Sequence, residues 1–348
     1  MTDSKPKKTN QDDRTESIQA LAAEFSGLPD GKRRSLIEEM ISTCLRLGDD
    51  DAHTGELKLL NAALKEMRYA YTVFKPWEHR PKISIFGSAR TPEDHPDYIA
   101  ARRFSELMGE AGWMSITGAG DGIMKAGHEG PGHEASFGLR IRLPFETTAN
   151  EVIARDPKLV NFRYFFTRKL MFLTHAEAVA SFPGGFGTMD EVFETLTLVQ
   201  TGKSNPVPIV LLEGEDGSYW PKWKDFIQKE LLANGWISEP DLSLFQIASS
   251  PEEARDIVLK SYRVYHSSRY VHDNLVIRLK RPITQEQCRE LESNFSRVAK
   301  DGKLHLSGPL DLEEDHLDLP RLHFEHVRRD FGTLRQLIDA INDLPEIT

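Results

Sequence analysis

Apolar positions in the first part of the chain recur at helical spacing. Residues 16–47 carry such a pattern, broken at Pro29-Asp30-Gly31, and a further helix is predicted over 54–73. The preceding segment, 1–15, has no apolar run and is predicted to be a disordered, solvated tail. We therefore expect a helical N-terminal extension over 16–75, whose role is packing or subunit contact.

The pattern changes at Pro81, beyond which short apolar runs alternate with amphipathic helices. Predicted strands are 82–86, 113–117, 136–143, 178–182 and 207–212. Predicted helices are 97–111, one from 123, 164–175, 189–200 and 220–234. Unalternating apolar strands separated by helices are typical of a parallel sheet buried on both faces. The pattern predicts a doubly wound α/β domain over 76–260.

A last segment, 261–348, has a different order of elements. Its predicted strands are 274–279, 303–306 and 320–326, and its predicted helices are 284–299 and 332–342. The order β-α-β-β-α indicates a small α+β appendage, with a ferredoxin-like half as one interpretation. No cluster of catalytic residue types is evident in it.

Composition narrows the class of protein. The 348 residues contain 44 Lys and Arg against 54 Asp and Glu, a net charge of −10, which argues against a general nucleic-acid partner. Cys44 and Cys288 are far apart, which excludes a disulfide framework and favours a reducing, cytoplasmic setting. No apolar run has membrane-spanning length and no secretory signal is evident, so we expect no membrane partner.

The strongest candidate for chemistry is the run from Pro183 to Glu191, which follows an apolar strand and opens a helix. Gly184, Gly185 and Gly187 allow close approach of backbone N–H groups to a ligand, and a helix N-terminus attracts anions. Thr188 can cap the helix or bond a phosphate oxygen. The same run also fits a tight turn with a cap and a Glu that stabilises the helix dipole.

Two further glycine-rich turns follow predicted strands. One contains Gly118, Gly120 and Gly122, and the other contains Gly87 and Ser88. The first lacks the last glycine of a dinucleotide fingerprint, and neither carries a Walker lysine. Turns that follow parallel strands share one edge of the sheet, where open α/β folds bind ligands. Together the turns predict a crevice for a nucleotide or sugar phosphate.

Arg168 and Lys169 lie on the helix that precedes the strand AVASF. An arginine there suits a phosphate or carboxylate, although a solvated helix face is an equal alternative. His128, His133 and His175 fall near the crevice segments without metal-ligand spacing, so no metal site is expected.

Together these motifs resemble those of the Lonely Guy (LOG) family, long labelled "possible lysine decarboxylase". PGGFGTMDE matches the family hallmark P-G-G-x-G-T-x-x-E, and FGSAR, GAGDGIMKAG, RLPFE with Asn150, and FFTRKLMF match companion features. The resemblance covers about residues 80–260 and is strongest to longer bacterial members with extensions at both ends. The chain departs from it at Asp121, where many members have proline.

The resemblance implies a Rossmann-like fold, a homodimer or larger homo-oligomer, and phosphoribohydrolase activity. Such hydrolases cleave the N-glycosidic bond of a nucleoside 5′-monophosphate, AMP or a cytokinin riboside monophosphate, giving the free base and ribose 5-phosphate. The family's catalytic arginine and glutamate carry over to Arg168 and Glu191. The glycine-rich turns, Thr188 and Lys169 are expected to bind the substrate.

No cofactor is expected. Lysine decarboxylation would need pyridoxal phosphate on a Schiff-base lysine, for which Lys169 is the one candidate near the crevice. The alternative to an enzyme is a nucleotide-sensing or carrier protein that uses the same crevice without turnover. The pair Arg168 and Glu191 favours the enzyme.

Overall fold

The computed structural model describes residues 11–29, 31–143 and 148–346. Residues up to Lys65 and residues from Glu66 onward form two compact units. The first unit holds helices α1 (Gln11–Phe25) and α2 (Lys32–Asp49), which pack together, and the start of α3 (Thr54–Phe74). Helix α1 thus begins within the segment 1–15 predicted as a tail, whose first ten residues lie outside the described part. The second unit begins inside α3, about ten residues before the domain boundary expected at 75/76.

Within the described residues, seven parallel strands form the central sheet of the second unit. They are β1 (Lys82–Phe86), β2 (Met114–Thr117), β3 (Ser136–Ile141), β4 (Leu159–Phe162), β5 (Ala178–Ser181), β6 (Ile209–Leu212) and β7 (Gln246–Ala248), in the order β4-β3-β2-β1-β5-β6-β7. The sequence pattern missed β4 and β7. Both are short edge strands that are only partly buried, so they lack the apolar run that marks the inner strands.

Helices cover both faces of this sheet, which confirms the doubly wound α/β class. They are α4 (Pro96–Glu110), α5 (Ile123–Glu129), α6 (Phe165–Thr174), α7 (Phe186–Gln200), α8 (Tyr219–Phe226) and α9 (Pro251–Lys260). One core packs α4, α5 and α9 on the sheet, and the others pack α6 with the end of α3, and α7 with α8. Helix α8 continues as a π-helix over Ile227–Leu232. No described helix is both long and apolar enough to cross a membrane.

The strand order reverses between β1 and β5. Strands β2, β3 and β4 are added on one side of β1, whereas β5, β6 and β7 are added on the other. A crevice opens at the carboxyl ends of the strands at such a switch point. The turns after β1 and β5, which hold Gly87-Ser88 and Gly184-Gly185, therefore flank the place where this fold binds ligands.

The C-terminal part is an α+β subdomain within the second unit. Its elements are β8 (Tyr265–Val271), β9 (Asn274–Leu279), α10 (Gln285–Phe295), β10 (His305–Ser307), β11 (Arg321–Glu325) and α11 (Phe331–Asp343). The strands form an antiparallel sheet in the order β10-β11-β9-β8. The order β-β-α-β-β-α differs from the predicted one because β8, YHSSRYV, is too polar to show as a strand. This subdomain packs on the parallel-sheet domain, where Arg335 of α11 donates to the carbonyl oxygen of Pro206 at 2.9 Å.

Candidate active site

The three glycine-rich turns meet at Ser88. The Ser88 N–H donates to the carbonyl oxygen of Pro183 at 3.1 Å, and the Ser88 carbonyl accepts from the N–H of Ile123 at 3.0 Å. The backbones approach so closely that a Cβ on Gly122 would lie 2.4 Å from the Ser88 oxygen, and one on Gly184 would lie 3.1 Å from the Ser88 nitrogen. Gly122 also has a φ of +59°. These glycines are therefore required by the convergence of the turns.

The turn after β5 is open towards solvent on one side and closed on the other. A Cβ on Gly185 or Gly187 would meet no atom within 4 Å, whereas one on Gly184 would lie 2.1 Å from Oγ1 of the buried Thr188. Helix α7 begins at Phe186, three residues earlier than predicted, and Gly185 precedes it without a side-chain cap. Thr188 thus lies in the first turn and is not the cap. The first N–H groups of a helix have no partner within it, so this open turn is suited to an anion.

A buried polar pair, Asn150 and His128, fixes the turn after β2. Asn150 donates from its backbone to the Ala119 oxygen and from its side chain to the Gly120 oxygen, both at 2.9 Å. The ring of His128 lies 3.2–3.3 Å from the Asn150 amide and 3.0 Å from the Phe137 oxygen. Burial lowers the pKa of His128 to about 4, so this histidine is neutral at pH 7 and fixes the loop. Side-chain atoms of Met124 fill the space behind Gly118 and Gly120.

Glu191 is the buried carboxylate of the site. It lies on α7 one turn beyond Thr188, and its side chain is 6% exposed. Burial raises the pKa of Glu191 to about 7, against the opposing charges of Lys169 and Arg168. Its Oε2 makes no hydrogen bond to any described residue. A carboxyl group near half-ionisation at neutral pH, with one oxygen that accepts no hydrogen bond, is equipped to take or give a proton.

Lys169 faces three carboxylates of α7. Its ammonium nitrogen lies 2.5 Å from Glu194, 2.9 Å from Asp190 and 3.6 Å from Glu191. Desolvation opposes the charge, but the hydrogen bonds to Glu194 and Asp190 raise the pKa of Lys169. An amine that forms a Schiff base must lose its proton, so this strongly paired ammonium does not fit pyridoxal phosphate. The expected contact of Lys169 with substrate stays a prediction.

The side chain of Arg168 reaches the turn after β2. Its Nη1 lies 3.7 Å from the position that a Cβ on Gly118 would take, and its guanidinium packs over the rings of Phe165 and Phe172 at 5.2 and 5.6 Å. Its charge also lowers the pKa of Glu191. The structure therefore brings Arg168, Glu191 and the glycine-rich turns to one edge of the sheet. Their catalytic and binding roles are not fixed by this arrangement alone.

Two residues that support the site were missed in the sequence. The Tyr219 hydroxyl donates to the Gly184 oxygen at 2.6 Å and holds the turn after β5. Glu66 of α3 accepts from the Arg163 N–H at 2.8 Å and from the Thr167 hydroxyl at 2.7 Å, so it secures the start of the helix that carries Arg168. Both contacts join positions far apart in the chain, and periodicity gives no signal for them.

Two further sequence predictions concern the RLPFE motif and a metal site. Residues 144–147, which include most of the RLPFE motif, lie outside the described part of the chain. Among the residues that the structure describes, no group of three His, Cys, Asp or Glu side chains is placed to hold a metal ion.

Comparison with known proteins finds two matches to the central part of the chain. Residues 118–258 match the family model described as "Possible lysine decarboxylase". The chain is 28% identical over 149 residues to the cytokinin riboside 5′-monophosphate phosphoribohydrolase LOG4 of Arabidopsis thaliana. These two matches support membership of the LOG family. The match covers 42% of this chain and 64% of the length of the plant protein.

Solved structures with similarity to the chain cover about half of it. The molybdenum cofactor binding protein of Rippkaea orientalis is 20% identical, with 52% of this chain and 96% of that chain covered at a TM-score of 0.37. The molybdenum cofactor carrier protein of Chlamydomonas reinhardtii is also 20% identical, with 52% and 97% covered at the same score. DNA processing protein A of Helicobacter pylori is 13% identical, with 53% and 83% covered at 0.37.

Proposed function

We propose that this protein hydrolyses the N-glycosidic bond of a nucleoside 5′-monophosphate and releases the free base and ribose 5-phosphate. The observation that carries the proposal is the position of Glu191. This buried carboxylate has one oxygen that accepts no hydrogen bond and a pKa raised to about 7, and it lies one helical turn beyond an open glycine-rich helix N-terminus. The similarity to a plant phosphoribohydrolase supports the same reaction class.

The 5′-phosphate of the substrate binds at the start of α7 in this proposal. Gly185 and Gly187 leave the N–H groups of the first turn accessible, and Thr188 supplies a hydroxyl beside Gly184. Binding of the phosphate fixes the ribose along the helix, so interactions remote from the scissile bond position C1′. About 4.5 Å of helix rise separates Thr188 from Glu191.

Glu191 then acts at C1′. Departure of the base leaves positive charge on the ribose, as in other glycoside hydrolysis, and the carboxylate stabilises that charge. Glu191 also accepts a proton from the water whose oxygen bonds to C1′. The electron pair of the broken bond leaves with the base, which takes up a proton. A pKa of about 7 matches this use at neutral pH.

Arg168 lies beside the turn after β2, across β1 from the turn proposed to hold the phosphate. This position favours a contact of its guanidinium with the ribose or with the leaving base over a contact with the phosphate. Lys169 serves as a positioning residue, because its ammonium holds the carboxylates of α7 in place.

We also propose a homodimer or larger homo-oligomer. Large apolar side chains next to the crevice are exposed, with Phe186 97% and both Phe165 and Phe166 about half accessible. Such a patch is typical of a protein interface. Light scattering on the full chain would reveal a mass of at least twice 39.5 kDa, and a monomer at micromolar concentration would contradict this part of the proposal.

The experiment that tests the reaction is a panel of nucleoside monophosphates with chromatographic detection of products. AMP and a cytokinin riboside monophosphate are the first substrates to compare. The proposal predicts equal amounts of base and ribose 5-phosphate, and much slower release of base from adenosine because it lacks the phosphate. Tight binding of the monophosphates without product would instead support a nucleotide-sensing protein.

A further inference from the structure

A large cavity lies away from the glycine-rich turns, at the opposite edge of the parallel sheet. Its volume is about 1330 Å³. Pro81, Glu177 and Val207, each just before a strand of that sheet, form one wall, and strand β8 of the C-terminal subdomain forms another. Sites for small molecules usually measure about 300–1,000 Å³, so this cavity has room for a ligand of nucleotide size.

Three cations of this cavity form no ion pair with a described residue, although Arg80 donates to the Gly112 oxygen at 3.2 Å and the Lys280 ammonium lies over the ring of Tyr262. Arg80, Lys203 and Lys280 line it, and none of them forms an ion pair with a carboxylate among the residues that the structure describes. Desolvation lowers the pKa of Lys280. Glu78, Glu177 and Glu194 also line the cavity, but in a chain of net charge −10 the three cations without an ion pair favour an anionic ligand.

Aromatic rings lie beside these cations. The ring of Trp113 is 5.8 Å from that of Tyr262, and the Lys280 ammonium lies 5.8 Å from the centroid of Tyr262. The rings of His266 and His316, 4.5 Å apart, contribute to the same wall. Trp113 is buried in the core, so Tyr262 and the two histidines supply the flat surface next to positive charge, and this is the combination that recognises an aromatic group attached to a phosphate.

We propose that the cavity between the parallel sheet and the C-terminal subdomain is a second ligand site, and that it binds an aromatic organic phosphate of nucleotide size. The site lies at the other edge of the sheet from the glycine-rich turns, and binding there does not depend on hydrolysis.

The cavity also reaches the residues around Glu191. Lys169 and Glu194 line it, and the same Lys169 ammonium contacts Glu194, Asp190 and Glu191. An anion in the cavity competes with these carboxylates for Lys169. Ligand binding at one site thereby changes the charge that Glu191 experiences at the other, which is the differential contact that allosteric coupling requires.

Calorimetric titration of the full chain with ADP tests the second site. Lys203→Gln and Lys280→Gln, combined, remove two exposed cations of the cavity, and Lys303→Gln makes the same change elsewhere in the C-terminal subdomain. We expect the double variant to lose one ADP site or to bind there at least about tenfold more weakly, whereas Lys303→Gln behaves as wild type. Adenosine and pyrophosphate, which each lack half of the proposed recognition, should bind this site at least about tenfold more weakly than ADP.

The proposal is overturned if the double variant binds ADP as wild type does, if wild type binds no ADP outside the crevice, or if Lys303→Gln loses as much affinity as the double variant. Thermal unfolding of each variant shows whether it is folded. The titration measures binding alone, so its result stands whether or not the protein hydrolyses AMP.

Discussion

The ammonium nitrogen of Lys169 lies 3.6 Å from Oε2 of Glu191. This contact sets two charges of opposite sign against each other in a place where burial favours the neutral carboxyl group. Arg168, like Lys169, lowers the pKa of Glu191, whereas the charges of Glu194 and Asp190 raise it. The protonation state of Glu191 therefore depends on four neighbours on two helices.

Replacing Lys169 should move the pH profile of the reaction. In Lys169→Met the pKa of Glu191 rises further above 7, so the acid limb of kcat/KM shifts to higher pH and the rate at pH 7 falls. Lys169→Arg keeps the charge and should shift the limb much less. The measurement is kcat/KM for AMP between pH 5 and 9. Identical profiles for wild type and Lys169→Met would show that this contact does not control Glu191.

Ionisation of Glu191 should lower the free energy of unfolding at high pH. Its pKa in the folded chain, about 7, lies above the ordinary value of 4.5, so its stabilising proton is fully present below about pH 4.5 and is lost as the pH rises through about 7. A difference of this size corresponds to a loss on the order of 3 kcal/mol. Glu191→Gln cannot ionise and avoids the loss. Urea unfolding at pH 5 and pH 8 checks this, and parallel pH dependences for the two proteins would contradict it.

The turn after β5 offers a matched pair of substitutions. Gly184→Ala places a Cβ 2.1 Å from the Thr188 hydroxyl and should lower the free energy of unfolding by about 1–3 kcal/mol. Gly187→Ala has open space in the first turn of α7 and should raise that free energy by about 0.4–1 kcal/mol. Thermal or urea unfolding compares them. Equal effects of the two substitutions would mean that the turn is not packed as described.

The sequence predicted most of this arrangement because its signals are local. Apolar runs identified the inner strands, and the glycine-rich turns after β1, β2 and β5 indicated the sheet edge at which they meet. The edge strands β4 and β7 and the polar β8 were missed, since hydrophobic patterning reports burial and these strands are only partly buried.

Contacts between distant segments could not be read from the sequence. Tyr219 and Glu66 act on residues 35 and about 100 positions away, and only the folded chain shows these distances. The pairing of Lys169 with three carboxylates is also a contact between distant segments, so the sequence pattern did not indicate it. A lysine expected to bind substrate faces Asp190, Glu191 and Glu194, because α6 and α7 pack side by side.

Glu66 should matter for activity although it is far from the crevice in sequence. Glu66→Ala removes the acceptor of the Arg163 N–H and the Thr167 hydroxyl, which loosens the start of α6. We expect kcat/KM for AMP to fall about tenfold or more through displacement of Arg168. Glu56→Ala, on the exposed start of α3, is the control. Wild-type kinetics in Glu66→Ala would show that Glu66 does not support the site.

The measurement that tests the account most directly is the release of adenine and ribose 5-phosphate from AMP by wild type and by Glu191→Gln. The account predicts equal amounts of both products from wild type, and a rate at least about 10²-fold lower in the variant, the usual scale for one positioned acid–base group. The variant should remain folded and still bind AMP, because the turn after β5 is unchanged. Absence of adenine from wild type, or hydrolysis by Glu191→Gln at the wild-type rate, would contradict the central claim.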